Sequence, residues 1–264
     1  MLEIKNVYKT FNPGTINEKR ALNGLNLTLN DGDFVTVIGG NGAGKSTMLN
    51  MIAGVYPVDS GAITIDGADV TRLPEHKRAA FLGRVFQDPM MGTAADMWIE
   101  ENLALAARRG QRRTLKWALN TAERKYFREI LAELDLGLED RLSTKVGLLS
   151  GGQRQALTLL MAVMKKPKLL LLDEHTAALD PKTAAKVLAL SDKFIEEEHL
   201  TAMMVTHNMK DAIAHGNRLI MMNNGKIILD IAGEDKKRLT VDDLLEAFTK
   251  SSGTEFANDR ALLS

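Results

Sequence analysis

The sequence predicts an α/β fold built around a mostly parallel, buried β-sheet. Two short apolar runs, Phe34–Ile38 and Leu169–Leu172, contain no charged residue and have the length of strands that are buried on both faces. A glycine-rich turn and a helix-like segment, Ser46–Ala53, follow the first run. The chain has 264 residues, which is enough for one large domain with an inserted subdomain.

Further strands are predicted from short runs of strand-like residues and from turn signals. Asn, Pro and Gly at residues 12–20 indicate a loop, and Asn223-Asn224-Gly225 indicates a hairpin. The strands predicted around these turns, and one more, are residues 2–11, 21–29, 202–206, 218–222 and 226–229.

Helices are predicted in the middle and near the end of the chain. Residues 100–109 and 122–136 contain few β-branched residues, so the stretch 88–167 is predicted as a helical insertion in a domain spanning residues 1–250. Thr240 has the spacing of a helix cap to an acid three residues later, and apolar residues at helical spacing follow. Residues 251–264 are predicted as a C-terminal tail.

Composition excludes several classes of function. Lys plus Arg and Asp plus Glu are both 34, and a nucleic-acid-binding domain usually has a basic excess, so we expect no nucleic-acid partner. The chain has no cysteine, which excludes disulfides and thiolate metal sites. No run of 18 or more apolar residues is present, so work on a membrane would need a separate membrane-spanning partner.

A phosphate-binding loop follows the first buried strand. Gly39-Gly40-Asn41-Gly42-Ala43-Gly44-Lys45-Ser46 fits the pattern G-x-x-x-x-G-K-[ST] in the strand–loop–helix context that the pattern requires. Glycines let several N–H groups point at one anion, and the following helix adds its positive dipole end. We expect Lys45 to reach the β- and γ-phosphates of a nucleoside triphosphate and Ser46 to bind Mg²⁺, with Thr47 beside them in the same site.

Two carboxylates follow the second buried strand. Asp173 and Glu174 end the run Leu169–Leu172, and the carboxyl ends of parallel strands line the ligand crevice of such sheets. Asp173 is expected near Mg²⁺, and Glu174 is expected to act on the attacking water as general base or positioning group. Two solvated acids at a strand end are the alternative, and the phosphate-binding loop upstream favours the functional interpretation.

A second anion-binding helix terminus is predicted at Leu149-Ser150-Gly151-Gly152-Gln153. Ser150 is a good N-cap residue, and the two glycines leave backbone N–H groups open to an anion. One nucleotide does not need two such termini from one chain. The segment therefore suggests that a second chain takes part.

The same five residues are identical to the LSGGQ signature of ABC ATPases, and the sequence resembles that family from about residue 2 to residue 230. The resemblance implies a P-loop NTPase (RecA-like) core with an antiparallel β subdomain and an inserted helical subdomain. Four further family elements have matches in order: the adenine-stacking aromatic, with Phe11 preferred and Tyr8 second, the Q-loop Gln87, the D-loop Asp180 and the switch His207.

The resemblance also implies residue roles. Catalytic roles fall to Glu174, His207, Gln87 and Lys45, and Mg²⁺ contacts fall to Ser46, Gln87 and Asp173. The implied nucleotide contacts are Phe11, residues 39–47, Ser150, Gly151, Gly152, Gln153 and Asp180. His175 stands where the family usually has proline. We assign it no catalytic role, although a titrating imidazole beside the γ-phosphate stays open at this stage.

The implied function is that of the ATP-binding and ATP-hydrolysing subunit of an ABC transporter, with ATP and Mg²⁺ as its cofactors. The resemblance implies a homodimer on ATP binding, permease subunits in the membrane, an extracytoplasmic substrate-binding protein and a place at the cytoplasmic face. The sequence is most similar to uptake systems, including those for amino acids, and Asp88–Gly92 is expected to contribute to permease docking.

Two other functions are alternatives to the transporter role. Ribosomal ABC ATPases usually have two nucleotide domains in one chain, and this length holds only one. DNA-repair members have a long coiled coil between the P-loop and the signature, whereas the corresponding interval here, from Lys45 to Leu149, has no sustained heptads. A P-loop kinase outside the ABC family is contradicted by residues 149–153.

Overall fold

The computed structural model describes residues 1–111 and 119–252, with side chains to residue 250. Residues 253–264 of the predicted tail lie outside the described residues. The strands in the described ranges are β1 Leu2–Phe11, β2 Lys19–Leu29, β3 Phe34–Ile38, β4 Ser60–Ile65, β5 Ala68–Asp69, β6 Leu82–Val85, β7 Leu169–Asp173, β8 Ala202–Val205, β9 Arg218–Asn223 and β10 Lys226–Ala232.

Helices connect these strands along the chain. Those in the described ranges are α1 Lys45–Ala53, α2 Glu75–Arg78, α3 Ile99–Ala107, α4 Thr121–Ala132, α5 Gly151–Val163, α6 Pro181–Glu197, α7 Met209–Ala214, α8 Gly233–Lys237 and α9 Val241–Ser252. A short 3₁₀ turn, Val146–Leu148, precedes α5. No helix in the described ranges is both long and apolar enough to cross a membrane.

The strands form two sheets. The larger has six strands in the order β10-β9-β3-β8-β7-β6, in which only β10 runs antiparallel to its neighbour. The smaller has the order β2-β1-β4-β5 and is antiparallel. This architecture confirms the predicted α/β fold with a parallel core sheet and an antiparallel β unit.

The parallel strands are apolar at almost every position because their side chains alternate between two buried faces of the sheet. In β7, Leu169 and Leu171 belong to the hydrophobic cluster that includes α1 and the smaller sheet. Leu170 and Leu172 belong to the opposite cluster, which includes α3, α4 and α5. Because successive strand residues point to opposite faces, a strand covered on both faces needs apolar residues at every position.

Several predicted boundaries shift in the structure. β2 begins at Lys19 rather than residue 21, because Phe11 pairs with Lys19 and Thr10 with Arg20, which extends the ladder into the predicted loop. The helix predicted over 122–136 ends at Ala132, and Asp135 beyond it has a φ of 51°. The predicted hairpin between β9 and β10 is confirmed, with positive φ at both turn residues.

The stretch predicted as a helical insertion, residues 88–167, contains α3, α4 and α5 between β6 and β7. Residues 112–118 of this stretch lie outside the described residues. Glu100 on α3 is buried and pairs with Arg124 on α4, with oxygen–nitrogen distances of 2.8 and 3.1 Å. This ion pair ties the two helices together, and the limits of the insertion as a subdomain stay a prediction.

Candidate functional site

The loop between β3 and α1 has a backbone that requires glycine at two positions. Gly39 has a φ of 148° and Gly44 a φ of 103°, which side chains of L-residues rarely allow. A Cβ atom at Gly39 would lie 2.3 Å from the carbonyl oxygen of Met222, and one at Gly44 would lie 2.6 Å from that of Ala21. The close packing of β9 and β2 against the loop therefore excludes any larger residue at these positions.

Lys45 opens α1 and lies across this loop. Its side chain is largely buried, and its Nζ donates to the carbonyl oxygens of Gly39 at 2.7 Å and Gly40 at 3.2 Å. The first N–H groups of a helix have no intrahelical acceptor, and the N-cap Gly44 offers no side-chain cap. With Ser46 and Thr47 in the first turn and no acid there, the helix end is suited to an anion.

Two neighbouring strand ends bring Glu174 and His207 together. Glu174 follows β7, and His207 lies just beyond the end of β8, its parallel neighbour. Glu174 has a φ of 46°, and its N–H donates to the carbonyl oxygen of Val205 at 3.0 Å. The Glu174 Oε1 lies 2.6 Å from the His207 Nε2. A carboxylate and an imidazole thus form a hydrogen-bonded pair at the carboxyl edge of the sheet.

Asp173 is the last residue of β7 and directly precedes Glu174. Its side chain is only 15% exposed. Burial raises the pKa of Asp173, the Arg84 guanidinium opposes the rise, and the Glu174 carboxylate adds to it. The Arg84 Nη2 lies 3.4 Å from the Asp173 Oδ2 and 2.8 Å from the Asn50 Oδ1. The guanidinium also lies 4.5 Å from the centre of the Phe86 ring. Arg84 therefore positions Asp173 from the edge strand β6.

One cavity is lined by residues from both sheets and from the loop. Its lining residues are Phe11, Lys19, Ala21, residues 41–47, Glu174 and His207. Phe11 lines this cavity and Tyr8 does not, which favours Phe11 between the two aromatic candidates. The Phe11 ring meets the Tyr56 ring edge-on, with centroids 5.2 Å apart.

Other predicted site residues do not line this cavity. They are Gly39 and Gly40 at the start of the loop, Gln87, which is exposed after β6, Asp173, the signature residues 150–153, and Asp180. The signature instead packs against the start of α6. A Cβ atom at Gly152 would lie 2.1 Å from the Thr183 Cγ2, so the two helices approach closely at this glycine.

The N-terminus of α5 is a fully formed cap. The Ser150 Oγ accepts from the Gln153 N–H at 3.3 Å, and the Gln153 Oε1 accepts from the Ser150 N–H at 3.3 Å. Ser150 and Gly151 are exposed. Asp180 caps α6 by accepting from the Thr183 N–H at 3.1 Å, and this hydrogen bonding lowers its pKa. The helix terminus that the sequence predicts to bind a second anion thus lies at the surface of the single chain.

His175 does not lie in the nucleotide cavity, which corrects the possibility of an imidazole beside the γ-phosphate. The side chain is 2% exposed, and its Nε2 lies 3.0 Å from the Ser191 Oγ on α6. The Ser191 hydroxyl donates to the carbonyl oxygen of Val187 at 2.9 Å, so it accepts from a protonated Nε2 of His175. Burial lowers the pKa of His175 to about 4. His175 is therefore neutral at pH 7 and has a packing role.

We expect His175→Gln to reduce the loss of stability in acid. The pKa of His175 falls from 6.5 to about 4 on folding, so its neutral form stabilises the fold above pH 6.5. That contribution, about 3 kcal/mol, is lost as the pH falls toward 4. Glutamine preserves a donor to Ser191 and does not titrate. Urea unfolding at several pH values between 7 and 4 measures the difference between the two proteins.

A matched control for this measurement is His76→Gln, which replaces an exposed histidine on α2. Measured over the same pH range, it shows the effect of removing an exposed histidine in place of a buried one. A His175→Gln protein whose stability falls in parallel with the parent would contradict a buried, neutral His175.

Three residues of the site are not predicted by the sequence. Arg84 gave one signal, a charge within the short apolar strand Leu82–Val85, and Asn50 on α1 gave none. Lys19 was assigned to a loop because Asn, Pro and Gly residues precede it. Only the ladder between β1 and β2 places it at the cavity.

The protein oxygen atoms at this site can hold Mg²⁺ only together with further ligands from outside the protein. Within residues 1–111 and 119–252, no group of three or more His, Cys, Asp and Glu side chains is arranged to hold a metal ion. The hydroxyl of Ser46 and the carboxylate of Asp173 are oxygen donors of the kind Mg²⁺ prefers, and Mg²⁺ commonly takes its remaining ligands from water and substrate phosphates.

Comparison with known proteins gives the family. Residues 22–177 match the family described as "ABC transporter". The chain is 46% identical over 253 residues to a tyrosine transport ATP-binding protein of Clostridioides difficile, an alignment that covers 94% of this chain and 98% of the relative. It is 34% identical over 230 residues to the spermidine/putrescine import ATP-binding protein PotA of Haemophilus influenzae, covering 87% of this chain and 57% of that longer relative.

Solved structures give the same result. A dimeric ATP-binding cassette, MJ0796, solved in a post-hydrolysis state with ADP and Pi, matches with a TM-score of 0.75 and 31% identity. That match covers 88% of this chain and 98% of the cassette. The chain therefore belongs to the ABC transporter family, as an ATP-binding and ATP-hydrolysing subunit.

Proposed function

We propose that this subunit powers an importer that takes up amino acids, with tyrosine as the first candidate. The support is the name of the Clostridioides difficile relative, a tyrosine transport ATP-binding protein, which the chain covers over 98% of its length at 46% identity. In this proposal permease subunits and an extracytoplasmic substrate-binding protein select the amino acid. The ATPase works at the cytoplasmic face, held to the membrane by the permease.

The observation that supports the ATPase chemistry best is the Glu174–His207 pair, 2.6 Å apart in the cavity that also contains Lys45. We assign Glu174 the role of general base, which positions the attacking water and takes its proton, and His207 the contact to the γ-phosphate. Catalysis of phosphoryl transfer depends on positioning and charge neutralisation, and these residues supply both from rigid strand ends.

The remaining roles follow the arrangement of donors around the cavity. Residues 39–47, of which 41–47 line the cavity, would hold the phosphates through backbone N–H groups and the Lys45 ammonium, and Phe11 would stack on adenine. Ser46, Gln87 and Asp173 would hold Mg²⁺, which neutralises phosphate charge when bound. Gln87 does not line the cavity in this structure, so its part in the site requires the loop after β6 to approach.

We propose that a second copy of the chain completes the site. Ser150, Gly151 and Gly152 form a helix end suited to an anion, of which Ser150 and Gly151 are exposed, and none of the three lines the chain's own nucleotide cavity. In a head-to-tail dimer this terminus would cover the phosphates bound by the partner's loop, and Asp180 would link the two sites. The MJ0796 cassette, which is similar over 88% of this chain, was solved as a dimer.

The surface proposed to dock the permease includes three exposed large apolar side chains, Met90, Met91 and Leu148. Their exposed fractions are 43%, 70% and 73%, which is high for large apolar side chains. The Arg154 Nη1 lies 2.7 Å from the Met90 Sδ, and its guanidinium also donates to the carbonyl oxygens of Gly147 and Leu149. Arg154 thereby connects Met90 to the start of the signature segment.

We expect simultaneous Met90→Asp and Met91→Asp replacement to abolish transport while sparing ATP hydrolysis by the isolated chain. Two charges would have to be desolvated in an apolar interface, which opposes docking. Uptake of labelled tyrosine by cells with the variant as sole copy measures the first effect, and ATPase activity of the purified chain the second. Met90→Leu with Met91→Leu should transport normally, and parallel loss of both activities would contradict the docking role.

The proposed function is tested by co-purification. A tagged Glu174→Gln chain is purified from solubilised membranes in ATP and Mg²⁺, and the associated proteins are identified by mass spectrometry. A stoichiometric multi-span membrane protein is the expected result, and the substrate-binding protein of the same system can then be titrated with tyrosine and other amino acids. A dimeric chain with only soluble partners would contradict the importer, and a binding protein that ignores amino acids would contradict the substrate class.

A further inference from the structure

We propose that Lys19 is a second cationic ligand of the nucleotide, binding oxygen atoms of its phosphate chain from the antiparallel sheet. This inference rests on nucleotide binding in the cavity described above and adds to it a residue outside the phosphate-binding loop. Lys45 reaches the nucleotide from within the loop, whereas Lys19 would reach it from the opposite wall.

The position of Lys19 is determined by strand pairing. Lys19 is the first residue of β2 and lies opposite Phe11, the last residue of β1. Both side chains line the nucleotide cavity, as does Ala21. Since alternate residues of a strand share a face, Lys19 and Ala21 line the cavity while Arg20 between them does not.

The ammonium group of Lys19 lies directly against the phosphate-binding loop. A Cβ atom built at Gly42 would be 3.0 Å from the Lys19 Nζ, so a side chain at residue 42 would occupy the space between the lysine and the loop. Gly42 itself has a φ of 78°, which favours glycine. The cationic group and the loop N–H groups can therefore act on one anion.

The charges around Lys19 suit an anionic ligand. Within the described ranges, Lys19 takes part in no salt bridge. Glu174, the acid of the cavity, is paired with His207. Glu18, the adjacent residue, accepts a hydrogen bond from the Gly14 N–H at 2.7 Å instead. An exposed ammonium held over an anion cradle without an acidic partner gains a charge-assisted hydrogen bond when phosphate enters.

Lys19 and Lys45 should differ in what they contribute. Lys45 is buried and bonded to the loop carbonyls, so it belongs to the rigid part of the site. Lys19 is exposed at the start of β2 in the smaller sheet. It does not belong to the ends of β7 and β8, which position Glu174 and His207. We therefore expect Lys19 to affect nucleotide affinity and the KM for ATP, with little effect on kcat.

The test compares dissociation constants of the full chain for ATP, ADP and adenosine, measured by calorimetry in EDTA and again in Mg²⁺. Lys19→Ala should weaken ATP binding roughly tenfold, ADP binding somewhat less, and adenosine binding not at all. Lys19→Arg, which preserves the charge, should restore most of the ATP affinity. Arg20→Ala removes a neighbouring charge that does not line the cavity and should bind all three ligands as the parent does.

Two results would overturn the proposal. Equal ATP affinity in Lys19→Ala and the parent would exclude the contact, and an equal loss for ATP and adenosine would indicate a contact to the nucleoside or a structural defect. Lys45→Ala, measured in parallel, separates this from the proposed function. If Lys45→Ala loses ATP while Lys19→Ala does not, only the role of Lys19 fails, and a parent that binds no ATP would refute both.

Discussion

Glu174→Gln should lower ATP turnover by roughly 10²- to 10⁴-fold while leaving ATP affinity close to that of the parent. Glutamine has the size of glutamate and preserves an oxygen acceptor for the His207 Nε2–H, so the geometry at the ends of β7 and β8 is retained. It has no negative charge and cannot take a proton from the attacking water. The chemical step therefore slows, whereas the groups that bind the phosphates are untouched.

Single-turnover hydrolysis and equilibrium ATP binding measure the two parts of this prediction. Because the bound ATP persists, an ATP-dependent dimer should also accumulate in sedimentation experiments. Glu234→Gln is the matched control, since Glu234 is an exposed acid on α8 that pairs with Lys237. It should hydrolyse ATP at the parental rate. Full turnover in Glu174→Gln would exclude the assigned role, and loss of ATP binding would indicate that Glu174 supports the fold of the cavity.

Ser150→Asp should abolish ATP-dependent dimerisation without unfolding the chain. Aspartate caps helices as well as serine does, so the hydrogen bond from the Gln153 N–H is preserved. Its charge, however, lies at the exposed terminus that is proposed to meet the phosphates of the partner's ATP, and like charges repel there. Ser150→Asn caps equally well without the charge and should dimerise normally.

Mixing two variants tests whether the signature acts on the other chain. In a Glu174→Gln background, one chain carries Lys45→Ala and the other Ser150→Asp, each with a different tag. Neither should form a dimer alone, but the mixed pair has one intact site between Lys45 of one chain and Ser150 of the other. ATP-dependent capture of one tag by the other is expected. Capture at background level, with both chains folded, would contradict completion of the site by a second copy.

The sequence alone determined the features that depend on contiguous residues. The phosphate-binding loop, the signature cap and the strand that ends in Asp173 each lie within a few consecutive residues, and their local geometry follows from glycine, capping and apolar run length. The structure has the loop between β3 and α1, the capping box at Ser150 and the acidic pair at the end of β7, as the sequence predicts.

Only the tertiary structure decided which distant residues meet. The Glu174–His207 pair exists because β7 and β8 are neighbours in the sheet order. Local periodicity contains no information on that order. Likewise, the register of β1 and β2 pairs Lys19 with Phe11 and so places it at the cavity, although the residues before it predict a loop.

The direction of a side chain at a strand end was also decided by packing. His175 follows Glu174 directly, yet Glu174 lines the cavity and His175 is buried against Ser191 of α6. Arg84 is a charged residue in an apolar strand. Its role becomes clear only from the structure, in which its guanidinium pairs with the Asp173 carboxylate. Local sequence determines which backbone a segment forms, whereas the charges and carbonyls that surround each side chain come from elements distant in the chain.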